Sequence, residues 1–109
     1  MATTFHLDLA EAGFAGDWVE LNDPRYLSQR RFEEVVAELG KAKEDPALAE
    51  KVFRDRISAW CVKDADTGAT MSDPKTDDLK GLAVGVTSAI GEKITELFEA
   101  TVPFRSRKA

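Results

Sequence analysis

Few side chains in this sequence are suited to chemistry. His6 and Cys61 are the only histidine and the only cysteine among 109 residues. Nucleophilic catalysis needs a thiol or hydroxyl within hydrogen-bond reach of a base, and this chain has no second imidazole to serve. His6 stands on the polar side of the alternating segment Phe5-His6-Leu7-Asp8-Leu9, the pattern of a surface histidine on a half-buried strand. Cys61 follows Trp60 in an apolar stretch with no histidine near it in sequence, which fits a buried, inert thiol on a helix face.

Two further stretches invite a chemical reading. DADTGATMSD places Asp64, Asp66, Gly68 and Asp73 with something of the spacing of a calcium loop. It lacks the glycine position and the closing glutamate of D-x-[DN]-x-[DN]-G-x5-E, so a solvated turn is the better account. GLAVGVTSAIG is glycine-rich but has neither a Lys-Ser/Thr pair after it nor a strand before it, so it is not a phosphate loop. No catalytic residue, metal ligand or cofactor is implied, and the inventory argues against an enzyme.

The elements that would carry these residues follow from periodicity. Phe5, Leu7 and Leu9 alternate with His6 and Asp8, and Asp17 to Leu21 alternates again after the turn AEAGFAG, which predicts a β-hairpin over 4–21. Two strands alone are marginal in water, so helices or a partner must cover one face. Asp23 is a capping residue and Pro24 suits a first helical position, which predicts a helix over 25–41 with Phe32, Val35, Val36 and Leu39 inward. Asp45-Pro46 repeats the device and opens a helix over 46–62, with Leu48, Val52, Phe53, Ile57, Trp60 and Cys61 inward and Glu50, Lys51, Arg54, Asp55 and Arg56 in water. The short KAKED link favours a helical hairpin. A long polar loop, VKDADTGATMSDPKTDD, leads to a third helix over 77–100 with Leu79, Leu82, Val86, Ile90, Ile94 and Leu97 at 3–4 spacing. The expected fold is therefore mainly α (α+β): a short N-terminal hairpin, then a three-helix bundle with a long loop before the last helix. Residues 1–102 make one domain, and 103–109 make a flexible basic tail.

Charge and cysteine use narrow the function. A formal net charge of −5 opposes binding to nucleic acid by the whole chain, since phosphates would be repelled. The tail FRSRKA concentrates cations on an acidic body, a hint of a partner with an acidic patch. A single cysteine forms no intrachain disulfide, in keeping with a reducing cytoplasm. The N-terminal residues do not have the pattern of a signal peptide, and the longest apolar run is too short for a membrane span. What remains is surface. Gly81, Ala83, Gly85, Ser88, Ala89 and Gly91 would let another backbone approach the third helix, and packing within the domain is the favoured use; burial of Val84 and Ala89 would mark it. Trp18 either plugs the gap between hairpin and helices or stands on the outer face as a partner anchor.

The order of these features resembles the small tail assembly chaperones of long-tailed bacteriophages, especially those of actinobacterial hosts. DWVELNDP supplies a W-x-x-L-x-D-P start, a tryptophan ends the middle helix within ISAWCVKDADTGATMSDP, that stretch closes on Asp-Pro after its glycine, and DDLKGL begins the last helix. The likeness spans nearly the whole chain, through pattern and order. It implies a non-enzymatic, mostly helical protein of the host cytoplasm that binds the tape measure protein, and tail tube subunits, while the tail is built. A longer frameshifted product and a homo-oligomer are further features it leaves open. Trp18, Asp23, Pro24 and Trp60 occupy the recurring positions, the last three with structural roles. Trp18 and the tail residues Phe104, Arg105, Arg107 and Lys108 are the partner-binding candidates. A neck or head–tail connector protein of the virion, and a small regulatory or interaction module, are the competing readings.

Overall fold

The computed structural model describes residues 3–101. Strands β1 (Thr4–Asp8) and β2 (Trp18–Asn22) pair antiparallel, with Leu7 opposite Val19 and Asp8 opposite Trp18, as the alternation predicts. Their connection is more ordered than a loose loop. The Asp8 carboxylate accepts from the Ala10 amide to cap a 3-10 turn, Leu9–Ala12, which Gly13 closes at φ 98°. Glycine enters that left-handed backbone without the Cβ clash other residues meet.

Beyond the hairpin the expected three-helix bundle is wrong: three helices are present, but they accompany a four-stranded sheet. Asp23 and Pro24 do open a helical turn, but it is a single 3-10 turn, Pro24–Tyr26, with the Asp23 carboxylate accepting from the Arg25 amide at 3.0 Å. The helix expected over 25–41 is α1, Gln29–Ala42, and Ser28 caps it by accepting from the Arg31 amide. Val36 is about half exposed instead of inward. The helix α2, Pro46–Asp55, starts where predicted, its first amides received by Asp45. It does not reach residue 62. It ends at Asp55, and Ile57–Lys63 forms a strand, β3, antiparallel to β2 with Trp60 opposite Val19. Trp60 and Cys61 therefore belong to a sheet and not to a helix face.

The long polar loop is also not a loop throughout. It turns through Asp64 to Ala69 into a short fourth strand, β4 (Thr70–Met71), paired with β3. The Asp64 carboxylate accepts from the amides of Asp66 and Thr67, and Gly68 takes φ 77°. A 3-10 turn, Leu79–Gly81, precedes α3, Val84–Thr101, so the last helix begins seven residues later than the expected 77. The result is an α+β fold: a four-stranded antiparallel sheet in the order β1-β2-β3-β4 with three helices, α1 and α2 inserted between β2 and β3.

One hydrophobic cluster joins the sheet to the helices. Val19, Leu21, Ile57, Trp60 and Val62 enter it from the strands, and Phe32 and Val35 enter it from α1. From α3 come Val86, Ile90, Ile94 and Phe98, spaced to share one helical face. The Phe32 ring meets Phe98 edge-on, with centroids 5.2 Å apart. Each such side chain, fully buried, contributes about 1.5–3 kcal/mol of transfer free energy. The small residues before and at the start of α3 serve packing inside the chain at two points: Gly81 lies against Asp64 and Gly85 against the Phe14 ring. Ala89 packs partly buried on the cluster, whereas Val84 is 83% exposed. No helix among the described residues is long and apolar enough to cross a membrane.

Candidate functional site

The strand registers put Thr4, His6 and Asp8 on the same face as Trp18, Glu20, Asn22, Ala59 and Cys61. This is the side of the sheet away from the hydrophobic cluster, and none of these side chains is buried. Trp18 lies on this outer face and not in the gap between the hairpin and the helices. Trp18 is half-buried, and its indole stacks on the His6 imidazole with centroids 5.6 Å apart and planes 29° from parallel.

The stack is fixed from below by Glu20. Its Oε2 meets His6 Nδ1, and its Oε1 accepts from the Thr4 hydroxyl at 2.8 Å. The His6 contact first, then Thr4, holds the Glu20 carboxyl below the ordinary glutamate value of 4.5. These residues lie on two alternating positions of β1, Thr4 and His6, and two of β2, Trp18 and Glu20, so the pleat itself sets their spacing. At the end of the face Lys63 Nζ donates to the buried Asp17 at 2.8 Å. The arrangement is an aromatic platform rimmed by charge, able to stack another ring or an apolar side chain.

The other sequence candidates are dispersed. Asp23 is buried beside Pro24, where Arg25 donates to both of its carboxylate oxygens. Trp60 is 1% exposed on the opposite sheet face, and its Nε1 donates to the Asp77 carboxylate at 2.9 Å. That same oxygen of Asp77 also accepts from the Asp73 amide, tying β3 to the segment before the last helix. Asp23, Pro24 and Trp60 are each buried in the fold. Cys61 is only partly buried and lies on the open face beside Trp18. Phe104, Arg105, Arg107 and Lys108 lie outside the described residues. In the acidic turn, the Asp64 carboxylate accepts from the Asp66 and Thr67 amides and the Asp73 carboxylate from the Lys75 amide. Among the described residues no three His, Cys, Asp or Glu side chains come together as a metal site.

Sequence reasoning missed one residue altogether. Arg56, expected in water, is 6% exposed, and its Nε and Nη1 donate to no acceptor among the described residues. Its guanidinium lies over the Phe98 ring, 5.8 Å from the centroid. No sequence signal marks it, because the apolar spacing of a helix continues past Asp55, where α2 stops.

The fold and the platform define a small α+β protein with an open sheet face. No family model, no curated protein and no solved structure matches the chain.

Proposed function

We propose that this protein is a non-enzymatic assembly chaperone that holds another polypeptide on the open face of its sheet. The observation that carries the reading is Trp18, half-buried on the sheet face away from the hydrophobic cluster and oriented by the His6–Glu20 pair. Tryptophans in this setting are frequent anchors of protein interfaces, because a large rigid ring gives contact area at little entropic cost. The sequence resemblance to phage tail assembly chaperones supplies the client: the tape measure protein, and tail tube subunits, in the host cytoplasm. An acidic body suits that task by keeping an apolar client complex soluble.

Capture of purified tape measure fragments tests the reading. The unaltered chain binds them, and Trp18→Ser weakens binding about 30-fold, the loss of one anchoring aromatic. Ending the chain after Val102 removes the cations of the tail and weakens capture further in low salt only. Equal capture by the parent protein and Trp18→Ser would discard the sheet face as the binding surface. Abundant protein in purified virions would favour a connector over a chaperone.

A further inference from the structure

Where the turn between β1 and β2 meets the end of β3 and the start of α3 lies a cavity of about 330 Å³, with Phe14, Asp17, Lys63, Ala65, Ala83 and Val86 in its wall. We infer that this cavity binds a free α-amino acid with an alkyl side chain, its ammonium on Asp17 and its carboxylate on Lys63. Such binding is independent of the chaperone reading.

Asp17 is the key to the site. It is only 5% exposed, just ahead of β2. Its Oδ1 accepts from Lys63 Nζ at 2.8 Å, while its Oδ2 accepts from no donor among the described residues. That oxygen is not sealed off, because the buried side-chain atoms left without a partner among the described residues all belong to Arg56. A carboxylate so far withdrawn from water ordinarily has its oxygens satisfied. The cavity that Asp17 lines is the opening through which a donor reaches Oδ2. Lys63 supplies the complementary half. Its side chain is 53% exposed, and the hydrogen bond to Asp17 holds its ammonium above the ordinary lysine value, charged at neutral pH with further N–H donors to offer.

The pair and the wall together select the ligand. The ion pair is neutral as a whole, so a ligand with one charge would satisfy one member and repel the other. A zwitterion matches both. In an α-amino acid the ammonium and the carboxylate share one carbon, a spacing suited to an acceptor and a donor already in contact. The Phe14 ring and the methyl groups of Ala65, Ala83 and Val86 leave an apolar place for the side chain. The volume lies at the lower end of the roughly 300–1,000 Å³ usual for small-molecule sites, which suits a single amino acid and not a nucleotide. The walls are also set in advance. The Phe14 amide donates to the Leu9 carbonyl at 3.0 Å, the Asp17 amide to the Phe14 carbonyl at 3.1 Å, and the Ala65 amide to the Gly81 carbonyl at 2.7 Å. A preformed cavity spares the ligand the cost of ordering it.

Amide-resolved NMR titration of the full chain with L-leucine tests the site. Isopentylamine, which lacks the carboxylate, and 4-methylpentanoate, which lacks the ammonium, are the controls. Leucine is expected to shift the Ala15, Asp17, Lys63 and Ala65 amides saturably, with each control about tenfold weaker, the worth of one charge-assisted hydrogen bond. Lys63→Met keeps the exposed stem and removes the charge, so it should fold and lose the preference for leucine over isopentylamine. Ala83→Leu should fill the cavity and abolish the leucine shifts with Asp17 and Lys63 untouched. No saturable shift, equal binding of leucine and either control, an unchanged preference in Lys63→Met, undiminished binding in Ala83→Leu, or shifts confined to other surfaces would each overturn the assignment.

Discussion

At the scale of single residues, Trp60 shows how one side chain serves two demands. It fills the core with its ring system and uses its only polar atom on Asp77. Trp60→Phe keeps most of the apolar burial but removes one of the two hydrogen bonds that Asp77 Oδ2 accepts, and should cost about 1.5–3 kcal/mol in urea unfolding at pH 7, since the lost hydrogen bond is to a charged group. A change below half a kilocalorie would show that water replaces the indole without penalty. The sequence pattern placed Trp60 among the inward residues of an expected helix and left Trp18 as either a plug between hairpin and helices or an anchor on the outer face. It could not see that Asp77 is the partner, because the two are brought together by a turn between strands and not by local spacing.

At the scale of elements, β3 explains the main error of sequence reading. Leu21 opposes Ile57 while Glu20 opposes Ala59, so Ser58 is an extra residue in the strand. A bulge of this kind shifts the alternation by one position. Ile57 and Trp60 consequently both face the core, three residues apart, and a three-residue spacing is the mark of a helix face. Glycines give a sharper test of the helix that follows. Gly91 and Gly81 both lie on the approach to or within the last helical segment, yet their surroundings differ. Gly91→Ala should stabilise by about 0.5–1 kcal/mol, the propensity gain of a helical alanine in open space. Gly81→Ala should destabilise, because its Cβ would overlap the Asp64 carboxylate, whose Oδ1 already accepts from two amides. Thermal unfolding of the two variants should move Tm in opposite directions. Caps behave more simply: Ser28→Ala and Asp45→Ala should each cost about 1 kcal/mol by leaving first-turn amides without a partner.

At the scale of the whole molecule, the carboxylates set the response to acid. Asp23 lies below the ordinary aspartate value of 3.8, chiefly through the side-chain hydrogen bonds from Arg25, and Asp73 is lowered first by the Thr76 hydroxyl. Glu20 is lowered as described above. A carboxyl whose folded pKa lies below its unfolded one gives stability that is complete above the unfolded value and disappears as pH falls through the folded value. Unfolding free energy should therefore be level from pH 7 to about 5 and fall steadily below about 4. Asp23, the most buried of the three, contributes most, and solvent screening reduces the share of the exposed Asp73. In Asp23→Asn the fall between pH 4 and 2 should be shallower than in the parent. Identical slopes in urea titrations of the two proteins would remove Asp23 from that account.

The sequence alone determined what depends on neighbours a few residues apart: the β1–β2 alternation, the Asp45-Pro46 helix start, the 3–4 spacing of Val86, Ile90 and Ile94, and the low supply of catalytic side chains. Only the tertiary structure decided that α2 ends at Asp55, that Ile57–Lys63 is a strand set between β2 and β4, and that Arg56 is buried. The reason is physical. Short apolar runs satisfy helix and strand alike, and the choice falls to the strand edge waiting at β2, whose unpaired amides and carbonyls are met by β3 and by nothing local.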